Sequence, residues 1–166
     1  MNTTLTYYPG KGISINETEI CWDFERFNIR QLLGNIHHEN DSVIEISKYT
    51  DDRENLNIVF RRDIYENYCG GRNYFFLNYD KNNLLKNIEI HYGILIVLEN
   101  LKLSFDMNFE DAVSLLKKLS SHNKELSQGE HFFKDLNLII ANGESLGGNG
   151  KELAYFYCSQ NVDQAD

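Results

Sequence analysis

The sequence predicts a single α+β domain over residues 1–166, a mainly antiparallel β-sheet with about two flanking helices. Three observations lead there. Apolar and polar residues alternate with period two at several places, the mark of strands with one wet face. Only two stretches combine a helical period with end signals, and they do not alternate with strands as a βαβ fold requires. One proline, Pro9, and the lack of any repeat, low-complexity tract or linker leave nothing to divide the 166 residues. A chain of this length buries roughly 70% of its extended surface, and ten Tyr, ten Phe and one Trp supply an aromatic core.

In chain order, the first helix is expected to start at Asp23 as N-cap, with Trp22 stapled onto Phe27. Its apolar face reads as Phe24, Phe27, Leu32 and Leu33, and Gly34 closes it in the left-handed conformation. Alternation then marks strands at Ile44 and Ile46, at Leu56, Ile58 and Phe60, at Ile88 and Ile90, and at Leu101, Leu103 and Phe105. Tyr74 to Leu77, Ile94 to Leu98, Leu136 to Ile140 and Leu153 to Cys158 are more uniformly apolar and read as doubly covered strands. Ile88 to Phe105 reads as a meander turning at Tyr92-Gly93 and Glu99-Asn100. The second helix starts at Asn108, with Glu110 and Asp111 where the macrodipole favours anions and Lys117 and Lys118 near its end. Phe109, Ala112, Val113, Leu116 and Leu119 form its buried stripe.

The net charge of −9, from 25 acids against 16 bases, repels phosphate backbones and attracts basic proteins, so direct nucleic-acid binding is not expected. The longest apolar run, Ile94 to Leu98, is far short of the ~20 residues that cross a bilayer. Residues 1–6 carry neither the basic nor the apolar part of a signal peptide. Cys21, Cys69 and Cys158 are odd in number and include no Cys-x-x-Cys pair, which suits reduced thiols. Together these place the expected protein in the cytoplasm, away from membranes, without cofactor or metal.

Gly143-Glu144-Ser145-Leu146-Gly147 matches the nucleophile elbow, yet no histidine follows Ser145 to serve as its base. A glycine-rich loop between two strands is the expectation. Gly147 to Lys151 resembles a phosphate loop in composition, but Glu152 stands where a P-loop needs Ser or Thr. Cys69 with a histidine such as His91 meets only the minimal need of a Cys–His nucleophile, and a buried or half-buried structural cysteine is the ordinary reading. His37, His38, Glu39 and Asp41 gather ligand types without a zinc spacing, so a surface turn is expected. Arg61, Arg62 and Arg72 beside Tyr74, Phe75 and Phe76 are too few to bind bases against the global charge, and these aromatics are assigned to the core.

The acidic residues are the constellation that remains. Asp51, Asp52 and Glu54 lie between two alternating strands, and Asp63 and Glu66 follow the second. They make a candidate docking surface for a basic protein, in which charge steers encounter and an edge such as 43–49 offers main-chain hydrogen bonds.

The chain resembles the immunity proteins that accompany bacterial contact-dependent growth inhibition toxins. The resemblance rests on Tyr7-Tyr8-Pro9-Gly10-Lys11-Gly12-Ile13-Ser14-Ile15 followed by Cys21-Trp22-Asp23-Phe24. It extends to the small, acidic, Asn/Ile/Lys-rich character of the whole. It implies a non-enzymatic partner of a toxin's C-terminal domain, often a basic nuclease, held stoichiometrically and in some pairs by β-augmentation. The alternatives are a small hydrolase using Ser145 or Cys69, or an adaptor or chaperone for a secreted effector.

Overall fold

The structure, a computed structural model, describes residues 3–45 and 57–161. Its fourteen strands and two helices form two sheets that enclose one core, so the expected α+β class with mainly antiparallel pairing holds. The smaller sheet contains β1 (Thr3–Tyr8), β2 (Gly12–Ile15), β3 (Thr18–Cys21), β9 (Ile94–Leu98) and β10 (Leu101–Leu103), in the order β10-β9-β1-β2-β3. The larger contains β4 (His38–Glu39), β5 (Ser42–Glu45), β6 (Asn57–Glu66), β7 (Tyr74–Tyr79), β8 (Leu85–Tyr92), β11 (Asn123–Ser127), β12 (Glu130–Phe133), β13 (Leu138–Asn142) and β14 (Leu153–Ser159). Its order is β11-β12-β13-β14-β8-β7-β6-β4, with β5 paired to β6 beyond β4. Every ladder is antiparallel except that of β1 with β9.

Alternation sends Leu5, Tyr7, Ile13, Ile15, Ile96 and Leu103 of the smaller sheet inward to meet Phe75, Leu77, Ile88, Ile90, Ile140 and Phe156 of the larger, all buried in one cluster. Each such side chain contributes on the order of 1.5–3 kcal/mol by leaving water. Tyr7 ties the layers together. Its ring packs edge-on against Trp22 and Phe156 at 6.5 and 6.2 Å, and its hydroxyl donates to the Leu136 carbonyl at 2.6 Å. Burial raises the pKa of that hydroxyl, so it remains a donor.

The expected meander is half right. Glu99, at φ +52°, turns β9 into β10 as a hairpin, but Tyr92-Gly93 carries the chain from one sheet to the other. Gly93 sits at φ +74°, and a Cβ there would lie 1.7 Å from the Arg72 carbonyl oxygen, so only glycine allows this close crossing.

Helix α2 (Phe109–Leu116) follows the sequence pattern: the Asn108 side chain accepts from the Glu110 N–H at 2.9 Å, and Phe109, Ala112, Val113 and Leu116 are buried. Helix α1 (Arg26–Leu32) does not. Its N-cap is Glu25, without a side-chain cap bond, rather than Asp23. Residues 24–26 are held instead by backbone bonds to residues 83–85: Arg26 N–H to the Asn83 carbonyl, and Leu85 N–H to that of Phe24. The inward stripe is Arg26, Ile29 and Leu33, while Phe27 is 64% and Leu32 48% exposed. Trp22 is buried against Tyr7 and staples nothing to Phe27. Gly34, at φ +83°, does end the helix in the left-handed region.

Candidate functional site

What α1 buries is an arginine, and its partner is an acid of the neighbouring strand. Asp63 is wholly buried inside β6, with its carboxylate enclosed by two guanidiniums. Arg26 Nη2 and Arg30 Nη2 donate to Asp63 Oδ1 at 2.7 and 2.6 Å, and Arg30 Nε donates to Oδ2 at 2.8 Å. Arg26 also forks onto Asp41 with two bonds of 2.8 Å, and Arg30 reaches Glu39 at 2.6 Å. Burial alone would raise the Asp63 carboxyl, but the bonds from Arg30 and Arg26 hold it below the usual value. The Arg26 bond likewise lowers Asp41. These are charge-assisted, bidentate contacts, the strong kind. They clamp α1 and β4 onto β6.

This overturns part of the sequence reading. Asp63 is not a loop carboxylate on a docking surface, because a strand position facing inward removes it from solvent. Glu66 also lies within β6, but exposed. Asp51, Asp52 and Glu54 lie outside the described residues. The expected surface turn at His37 to Asp41 is an edge strand at His38–Glu39, bound into the arginine cluster. His37, Glu39 and Asp63 bring ligand atoms within 4.8 Å of one another. A cation there would face the two guanidiniums that already occupy both Asp63 oxygens.

Outside this clamp, apolar surface is concentrated. Of ten exposed large apolar side chains among the described residues, seven fall between 27 and 60: Phe27, Leu32, Ile36, Val43, Ile58, Val59 and Phe60. The last four stand on the β5–β6 ladder, where Val43 faces Val59. β5 pairs with β6 on one side and with no described strand on the other, so the expected edge holds for 43–45, and 46–49 lie outside the described residues.

A second surface is the outer face of the larger sheet. Phe76, Phe132, Ile139 and Ala141 are buried yet stand apart from the core cluster, because alternation turns them away from the smaller sheet. Around Phe76 the face is aromatic. Tyr74 packs edge-on against it at 4.9 Å and stacks on Tyr92 at 5.8 Å, and His91 lies 4.7 Å from Phe76 and 5.4 Å from Tyr155. The Arg62 guanidinium sits 4.4 Å from the Phe76 centroid and donates to Glu89 at 2.7 Å and Asn78 at 2.7 Å. Asn78 in turn donates to Glu89 and Asn87. Burial lowers the pKa of His91 and keeps its imidazole neutral near pH 7. Of the three aromatics assigned to the core by sequence, only Phe75 is there; Tyr74 and Phe76 face outward.

The catalytic motifs disperse. Ser145 lies in the glycine-rich loop between β13 and β14, as expected, and its hydroxyl donates to the Asn142 carbonyl at 3.0 Å while its N–H binds the Asn142 side chain. The loop's N–H groups turn inward, Gly148 to Gly143 and Glu144 to Gly150, rather than converging on an anion. Cys69 is exposed rather than half-buried, at φ +52° in a 3₁₀ turn, and lines an open cleft of about 680 Å³ with Thr4, Thr6, Ser14 and Asn16. His91 is enclosed on the outer face of the other sheet. Ser121, His122 and Asp135 are adjacent, but the serine and the aspartate both meet His122 through Nδ1, at 3.1 and 2.8 Å. A relay needs the two ring nitrogens on different partners.

No family model, curated protein or solved structure matches this chain. Among the described residues no helix is long and apolar enough to cross a membrane.

Proposed function

We propose that this protein binds and neutralises a cognate bacterial toxin domain, a basic nuclease, by one-to-one association in the cytoplasm. The supporting observation is seven exposed apolar side chains on α1, at Ile36 after it and on the β5–β6 ladder, whose β5 has no described strand on its other side. Large apolar side chains left in water close together mark a protein-binding surface. The charge supplies the partner's sign: residues 1–60 hold ten acids against five bases, and a nuclease built to hold phosphates is basic. Phe27, the Val43–Val59 pair on one side of the ladder and Ile58 and Phe60 on the other provide the desolvated contact. The acids, including Asp51, Asp52, Glu54 and Glu66, steer the encounter.

The test is growth of cells expressing a toxin domain encoded beside this chain, with and without the protein, together with titration of the purified pair. Rescue with nanomolar one-to-one binding is the expected result, and association slows as salt rises. Binding without rescue would favour an adaptor or chaperone. Absence of both would overturn the reading and return attention to Ser145 and Cys69.

A further inference from the structure

We infer that the aromatic outer face of the larger sheet is the anchor of the partner interface, and that its occupant is an arginine side chain of the basic partner. This rests on the toxin-binding reading. The first ground is continuity. Side chains of β6 alternate, so Ile58, Phe60, Arg62 and Glu66 project on one side of the ladder, and the register sets Arg62 beside Asn78 and Glu66 beside Tyr74. From Ile58 and Phe60 the same side of β6 continues through Arg62 to Ile64, which pairs with Phe76, and on to Glu66 beside Tyr74 and Tyr92 at the far end of the strand.

The second ground is chemistry that the chain itself displays. Arg62 sits over the Phe76 ring with its charge on Glu89, an internal example of this face holding a guanidinium between a ring and a carboxylate. On the side of β6 and β8 that carries Phe76, Glu66 and Glu89 face Arg62, with exposed Lys86 further along at the β7–β8 bulge, and the half-buried His91 adds no charge near pH 7. The Tyr74–Tyr92 stack, with Tyr92 39% exposed, offers further ring surface beside Arg62. Tyr and Arg are the residues that carry most binding energy at protein interfaces, where a rigid ring gives large contact area at little entropic cost. An acidic ligand would meet Glu66 and Glu89. A second copy of this chain, itself at −9, would be repelled.

The test is an NMR titration of the full chain with N-acetyl-arginine amide at low salt, with N-acetyl-citrulline amide as the neutral isostere. Expected are saturable shifts confined to Tyr74, Phe76, Tyr92, Tyr155 and His91, with citrulline at least tenfold weaker. Tyr92→Ala, at an exposed position that leaves the core intact, should weaken arginine binding at least fivefold, as should Glu89→Gln. No saturable shift, equal binding of citrulline, or shifts centred elsewhere would overturn the assignment. Rescue of toxin-expressing cells by a protein that fails this titration would leave the immunity reading standing and remove the anchor. Arginine binding without rescue would do the reverse.

Discussion

Helices α1 and α2 close the same core by opposite means. α2 presents Phe109, Ala112, Val113 and Leu116 to the interior and keeps Glu110 and Asp111 outside, so leaving water is what holds it. α1, with seven residues, is like the eight-residue α2 too short to be stable alone. It docks through Ile29, Leu33 and an arginine whose charge is met by Asp63 and Asp41, and it leaves Phe27 and Leu32 in water. The contrast teaches that a helix positioned by ion pairs can expose its apolar side chains without losing its place. Those side chains are then free for a partner. In a helix such as α2, the same residues are consumed by the fold.

The contrast can be broken most sharply at Asp63. Asp63→Asn leaves two guanidiniums facing a neutral amide, one of them nearly buried, and is expected to cost about 3–5 kcal/mol in urea unfolding. A loss under about 1 kcal/mol would mean that the Asp63 contacts do not hold α1, which would then rest on Ile29, Leu33 and the bonds to Asp41 and Glu39. Leu116→Ala in α2 should cost about 2–5 kcal/mol through the cavity it opens. That cost should be the same at pH 7 and pH 3.5, since no charge is involved.

Acid distinguishes the helices further. Asp63 and Asp41 have folded pKa values below their unfolded ones, so the stability they contribute is present above about pH 4 and is lost as the pH falls through their folded values. Thermal unfolding of the parent should therefore weaken steeply below about pH 4. In Asp63→Asn part of that slope should be missing, and an identical slope would exclude the cluster as its source. His37, His91 and His131 are also lowered by burial, so a milder loss is expected earlier, as the pH falls below about 6.5.

Two smaller effects sharpen the picture. Asn108→Ala removes the α2 cap and should cost about 1 kcal/mol. Phe27→Ser should change stability by no more than about 0.5 kcal/mol, because the ring is already in water, while weakening binding to the proposed toxin partner. A destabilisation above 2 kcal/mol would show that Phe27 packs against the fold after all.

Much of this architecture was legible because the relevant signals are local. α2 announced itself by an amide cap, acids in its first turn and an apolar stripe, and each of these acts within about one turn of chain. Strand alternation at 88–90 and 101–103 was equally readable, since the pleat forces it. The misreadings share a cause. Arg26 scored as polar, yet it points inward because Asp63, 37 residues away, meets it. Asp63 scored as a solvated acid for the same reason. Tyr74 and Phe76 scored as core because composition does not say which side of a sheet a second layer covers. One signal could have flagged Arg26 and Arg30: they share a helical face with Ile29 and Leu33, on which a buried charge demands a partner.

The sequence by itself determined the α+β class, the second helix, the glycine loop around Ser145 and the net charge of −9. These follow from periodicity, capping and net charge, which need no knowledge of the fold. Only the tertiary structure decided that Arg26, Arg30, Glu39, Asp41 and Asp63 form one clamp and that Tyr74, Phe76, His91 and Tyr155 share an outer face. The physical reason is that an ion pair or a ring contact depends on distance in space, and strands far apart in the chain set those distances.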